Sequence, residues 1–220
     1  MTSLKEFTQS AARPLPVVIV ADVSGSMSVD GKIQSLNQAI QEMLSAFAAS
    51  DEVRAEIHVG VVAFGGESAW MHVNLQPATA VQWQSMQADG RTPMGAALGI
   101  AADLIENKDA IPSRAYRPTV VLISDGVPTD DWKRGLTRFT GEGRANKAER
   151  LALAIGADAD EAMLGQFVSD PKHRVFHAED AARIRQFFRF VTMSVTSRSK
   201  SADPNAVPPL GDDPYSLDNL

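Results

Sequence analysis

The chain has 220 residues, a formal net charge of −6 and no cysteine, which excludes a disulfide scaffold and thiolate metal sites. Hydrophobic residues make up 44% and charged residues 22%, the balance of a soluble domain with a full core and length to spare for a tail. The acidic balance disfavours non-specific nucleic-acid binding, which needs clustered Lys and Arg, and no apolar run is long enough to span a bilayer.

Residues Met1–Arg13 are polar and lack the apolar run of a signal peptide, so a cytoplasmic address is expected. Pro14 and Pro16 punctuate the start. The β-branched run from Pro16 to Ala21 then predicts a strand buried on both faces. Ile33, Leu36, Ile40, Met43, Leu44 and Phe47 recur at helical spacing and predict an amphipathic helix over 32–49. A second strand over 55–64, alternating through Ile57, Val59 and Val61, stops at Gly65 and Gly66. Residues 70–75 are expected to return as a short antiparallel edge strand.

Met94, Ala97, Leu98, Ala101, Leu104 and Ile105 mark the next helix, and Thr119–Ser124 is the clearest strand in the chain. A helix over 132–139, a strand over 151–155, a helix over 161–168 and a short strand over 174–176 follow. Ile184, Phe187, Phe188, Val191 and Val195 define the last helix. The alternation predicts a doubly wound α/β fold: a mainly parallel central sheet, helices on both faces and one short antiparallel edge strand. The expected organisation is an extension over 1–15, a domain over 16–197 and a flexible Pro- and Asp-rich tail over 198–220. Removing the tail from Ser199 should barely move the melting temperature.

In such sheets ligands sit beyond the carboxyl ends of the strands, near a topological switch point. Asp22-Val23-Ser24-Gly25-Ser26 follows the first strand there, with Gly25 expected to relax the backbone of a tight turn. Asp125 stands at the equivalent end of the 119–124 strand, and the loop over 90–95 delivers Thr92 just ahead of a helix. These are hard oxygen donors, suited to Mg²⁺, Mn²⁺ or Ca²⁺, and few enough to leave room for water.

Asp-x-Ser-x-Ser followed in order by a Thr and an Asp resembles the metal-ion-dependent adhesion site of von Willebrand factor A domains, over roughly Pro16 to Ser197. Within that family the chain looks most like TerY-type bacterial proteins of tellurite resistance and stress response, on Ser124–Trp132 and Gln186–Val191. The resemblance implies that Ser24, Ser26 and Thr92 contact one divalent cation, Mg²⁺ foremost. Asp22 and Asp125 would act directly or through water. An Asp or Glu of a partner protein would complete the shell. It further implies a non-enzymatic scaffold or sensor working with protein kinase and phosphatase partners.

Plainer roles stand beside these. Asp-x-Ser-x-Ser alone suits a cap or turn, and Thr92 can cap the following helix with Pro93 at its first position. Asp130 and Asp131 read as caps for the helix at Trp132 ahead of a metal or partner contact, and Trp70 and Trp132 as partner anchors or half-buried packing. His173 and His177 read as surface residues on either side of a strand. A phosphohydrolase using Asp22 as nucleophile would want a second carboxylate where Ser24 stands, and no paired general base is evident. An accessory subunit of a chelatase or another ATPase-linked machine would need its ATPase from a partner.

Overall fold

The computed structural model describes residues 12–50, 54–141, 143–169 and 175–206. Six strands form one sheet: β1 (Arg13–Asp22), β2 (Ala55–Gly65), β3 (Ser68–Pro77), β4 (Thr119–Ser124), β5 (Glu149–Ile155) and β6 (Phe176–Ala178). Their order is β3-β2-β1-β4-β5-β6. Every pairing is parallel except β2 with β3, the antiparallel edge expected from sequence, here longer than residues 70–75. Five helices cover the faces: α1 (Lys32–Ala48), α2 (Met94–Glu106), α3 (Trp132–Thr140), α4 (Glu161–Phe167) and α5 (Ala181–Lys200).

The sheet divides two cores. Leu36, Ile40 and Met43 of α1 and Phe187, Phe188 and Val191 of α5 pack on one face with Val17, Ile19 and Val121. Leu98 and Ala101 of α2, Phe139 of α3 and Phe167 of α4 pack on the other with Val18, Val20 and Leu122. Consecutive residues of β1 therefore serve opposite cores, which is why the strand reads as an uninterrupted apolar run.

β1 begins at Arg13, earlier than its prolines suggest. Pro14 and Pro16 fall where β1 has only β2 as a neighbour, because β4 joins at Val17, so a full two-sided ladder is not interrupted. β6 lies two residues beyond the expected 174–176. His177 sits within it, exposed, with Nδ1 3.4 Å from a Glu161 carboxylate oxygen, while His173 lies outside the described residues.

The tail boundary expected at Ser197 falls inside α5. Arg198 is fully buried and its guanidinium reaches the carboxylate of Glu149, the hydroxyl of Thr119 and the carbonyls of Arg117 and Pro204. Ser199 accepts from the Arg54 amide, and the Asn205 side chain accepts from the Arg117 amide. Four prolines and four aspartates gave this segment a disordered composition, but one buried arginine ties its first part to the sheet. Residues 207–220 of the expected tail lie outside the described residues.

Chain direction in the sheet runs outward from β1 to β2 on one side and to β4 on the other. The carboxyl ends of β1 and β4 thus flank a topological switch point.

Candidate metal centre at the carboxyl end of the sheet

β1 delivers Asp22, fully buried, into a short 3-10 turn over Gly25–Ser28. The turn is held from two sides. Val23 donates its amide to the Phe64 carbonyl at 2.8 Å, and its own carbonyl accepts from the Asp89 amide at 2.8 Å. Gly25 does not have the positive φ that would mark relaxed backbone. It allows approach instead, donating to the Gly90 carbonyl at 2.9 Å. Gly90 has a φ of 65°, and a Cβ there would lie 2.5 Å from Gly66 Cα. The loops after β1 and β2 and the segment before α2 are therefore fitted together backbone to backbone.

On this frame the polar side chains form one connected chain. Asp22 Oδ1 accepts from the Ser24 amide at 2.8 Å, and its Oδ2 accepts from the Ser124 hydroxyl at 2.6 Å. Ser24 Oγ and Ser26 Oγ are 3.0 Å apart, and Ser26 Oγ donates to Asp125 Oδ1 at 2.6 Å. Lys32 Nζ donates to Asp125 Oδ2 at 2.8 Å. Asp22, Ser24 and Asp125 are buried, whereas Ser26 is exposed. Burial pushes the Asp22 carboxyl up to about 6. Hydrogen bonds from Ser124 and Ser24 pull the other way, and the neighbouring Asp125 charge adds to the rise.

Thr92 is held differently. Its amide donates to Thr129 Oγ1 at 3.1 Å and its carbonyl accepts from the Thr129 amide at 2.9 Å. This ties the Thr92 loop to the loop that follows Asp125. The Thr92 residue is buried, yet its hydroxyl makes no hydrogen bond with any described residue. Of the five sequence-predicted residues, four are joined by hydrogen bonds, and the fifth sits on an adjoining loop with its hydroxyl uncommitted.

Thr92 does not cap α2. The residue before that helix is Pro93, and the cap comes from Asp130, whose two carboxylate oxygens each accept at 2.8 Å from the Gly95 and Ala96 amides. Asp131 alone caps α3, through the Arg134 amide. The cap pairing across 35 residues could not be seen in sequence, where Asp130 stands next to the wrong helix. Ser124 and Lys32 were also missed. A hydroxyl ending an otherwise apolar strand was an available signal for Ser124. Lys32 carried none, since a lysine opening an amphipathic helix looks like solvated surface.

Among the described residues no three His, Cys, Asp or Glu side chains converge. The cluster is instead two buried carboxylates with hydroxyls, a donor set that fits a hard divalent cation retaining water. Two observations support the fit. Lys32 pairs with Asp125 while the buried Asp22 carboxylate accepts from neutral donors, and the Thr92 hydroxyl makes no hydrogen bond with any described residue.

The sequence matches the family model of the von Willebrand factor type A domain over residues 17–190. The chain belongs to this family. Among solved structures, the VWA domain is similar to the pilus adhesin SpaC of Lactobacillus rhamnosus GG: 16% identity and a TM-score of 0.71, covering 87% of this chain and 31% of that one. It is similar to a von Willebrand factor type A protein of Catenulispora acidiphila at 23% identity and TM-score 0.62, covering 84% and 43%. It also resembles proximal thread matrix protein 1 of the mussel byssus, solved with a zinc-occupied MIDAS motif, at 13% identity and TM-score 0.62, covering 84% and 48%. At these identities the likeness is one of fold, and this chain spans less than half the length of those chains. A search of curated proteins gives no match. None of these comparisons reaches the narrower TerY-type or tellurite-resistance resemblance. Among the described residues no helix is long and apolar enough to cross a membrane.

Proposed function

We propose that this VWA domain binds one divalent cation, Mg²⁺ foremost and Mn²⁺ or Ca²⁺ as alternatives, and uses it to grip an acidic side chain of a partner protein. The carrying observation is the connected chain Asp22–Ser24–Ser26–Asp125 at the switch point, with the loop of Thr92 hydrogen-bonded to Gly25 of the same turn through Gly90. Ser24, Ser26 and Thr92 would hold the ion, and Asp22 and Asp125 would orient the hydroxyls and supply charge. A bound cation supplies Lewis acidity at a coordination position that the protein leaves for an incoming carboxylate. The zinc-occupied MIDAS motif of the mussel protein supports an ion on this fold, and the pilus adhesin supports a binding role for the fold. Val29 and Val127 stand exposed on the loops that carry Ser26 and Asp125, where they give a protein partner apolar anchors.

An interaction module accounts for the site better than a phosphohydrolase. Both Asp22 oxygens already accept hydrogen bonds, and Ser24 stands where a second carboxylate would be needed. The finer setting, a scaffold beside kinase and phosphatase partners in a stress response, rests on the sequence resemblance of Ser124–Trp132 and Gln186–Val191 alone.

Affinity capture on the immobilised protein, with Mg²⁺ or with chelator, tests the reading. Partners are expected to be retained with the ion, released by chelator and absent from an Asp22→Ala matrix. Thr92→Ala is expected to weaken partner retention more than ion binding. Equal retention in chelator would mean that the interaction uses another face.

A further inference from the structure

The proposed function leaves Lys32, hydrogen-bonded to Asp125 in the cluster, unexplained. It opens α1 after two residues in the left-handed region, Asp30 at φ 54° and Gly31 at φ 69°. That reversal brings it against Asp125, 93 positions further along the chain. Helix physics gives no reason for a lysine here. A cation in the first turn opposes the helix macrodipole, and α1 has no acidic residue in that turn and no side-chain cap. Its side chain is nonetheless only 19% exposed, and it reaches past Gly156, where a Cβ would stand 3.7 Å from Nζ. Its ion-pair partner is Asp125, whose side chain is fully buried and whose other oxygen is taken by Ser26.

Resting on the proposed function, we infer that Lys32 is an internal counter-ion of the metal centre, one that weakens its hold on the bare cation and favours the cation joined by a partner carboxylate. Two carboxylates and one ammonium leave the cluster with a single net negative charge. A divalent ion turns that to a single positive charge, and one incoming carboxylate brings it to zero. With a neutral residue at 32, the ion alone would neutralise the site and an incoming carboxylate would leave it negative. An ion that uses Asp125 must also share that carboxylate with the ammonium or displace it. Lys32 thereby opposes the bare ion and favours the carboxylate that joins it, while ion and carboxylate each raise the affinity for the other by the same factor.

The test is calorimetric titration of Mg²⁺, and separately Mn²⁺, into the full-length protein, Lys32→Met and Lys32→Arg, with circular dichroism confirming the fold of each. Each Mn²⁺-loaded protein is then titrated with acetate. Lys32→Met is expected to bind the bare ion about tenfold or more tighter, from loss of one nearby like charge, and to bind acetate more weakly once loaded. Lys32→Arg, which keeps the charge, should stay near the original protein in both titrations. Ion affinity unchanged or lowered in Lys32→Met, or acetate binding equal across the loaded proteins, would overturn the inference and leave the metal centre standing. No ion binding by any of the three would remove the metal centre itself, and this inference with it.

Discussion

β4 ends in a buried carboxylate cluster at both of its termini, and the two clusters are balanced differently. At the amino end, Glu149 pairs with Arg198 at 2.9 Å, both side chains almost fully buried, with Thr119 bridging them: one negative charge, one positive, closed to solvent. At the carboxyl end, Asp125 pairs with the Lys32 ammonium, Asp22 accepts from the neutral Ser24 amide and Ser124 hydroxyl, and Ser26 opens the cluster to solvent. A buried charge is tolerated when it is paired and hydrogen-bonded, and is costly otherwise. The first cluster pairs its charges internally through Arg198 and Glu149 Oε2, with Glu149 Oε1 left without a hydrogen bond among the described residues, and acts as a fastener. The second falls short by one charge, the imbalance a site has when its remaining partner comes from outside.

The difference can be broken most sharply by removing one member of each pair. Arg198→Ala leaves Glu149 buried and unpaired, with an expected loss of about 3–5 kcal/mol in urea unfolding. Asp125→Ala leaves only Lys32, partly exposed and free to turn outward, with an expected loss of about 1 kcal/mol or less. Equal losses would erase the distinction between fastener and open site.

Truncation after Arg198 is the next largest effect. It removes the Ser199 carbonyl, the Pro204 carbonyl and the Asn205 side chain, which accept from Arg54, Arg198 and Arg117. Three such bonds, each contributing roughly 1 kcal/mol, should lower the melting temperature by on the order of 5–10 °C. No change would restore the disordered tail that composition suggests.

The smallest effect is a pH dependence confined to the open cluster. In the metal-free folded protein Asp22 keeps its proton up to about pH 6, while the unfolded chain releases it near 3.8. A raised carboxyl pKa favours folding while the group is protonated. The Asp22 contribution to metal-free stability therefore falls as pH rises from about 4 to 6 and levels off above that. Cation binding calls for the ionised form, so the rise in melting temperature produced by Mg²⁺ should be present at pH 7.5 and fade as pH drops through about 6. A Mg²⁺ effect of the same size at pH 5 would detach the ion from Asp22.

Sequence made the sheet legible because strands buried on both faces read as apolar runs, and helices at 3.6-residue spacing separate them. It also brought out Asp22, Ser24, Ser26 and Asp125, since they follow buried strands at the end of the sheet where such folds bind ligands. What stayed hidden depends on contacts between distant positions. Lys32 and Arg198 each look like solvated cations until the fold sets them against Asp125 and Glu149. Asp130 looks like a cap for α3 until α2 is seen to start beside it. Thr92 reads from sequence as a loop residue, but its tie to the loop after Asp125 runs through the Thr129 backbone and hydroxyl, which no local pattern records.

Titration of Mg²⁺ into the full-length protein, Asp22→Ala and Asp125→Ala, with circular dichroism on all three, tests the central claim most directly. The account predicts one ion bound by the unaltered protein and tight binding lost in both variants, each still folded, because the site lies at the edge of an independently packed sheet. Unchanged affinity in either variant, or no ion bound by the unaltered protein, would contradict it.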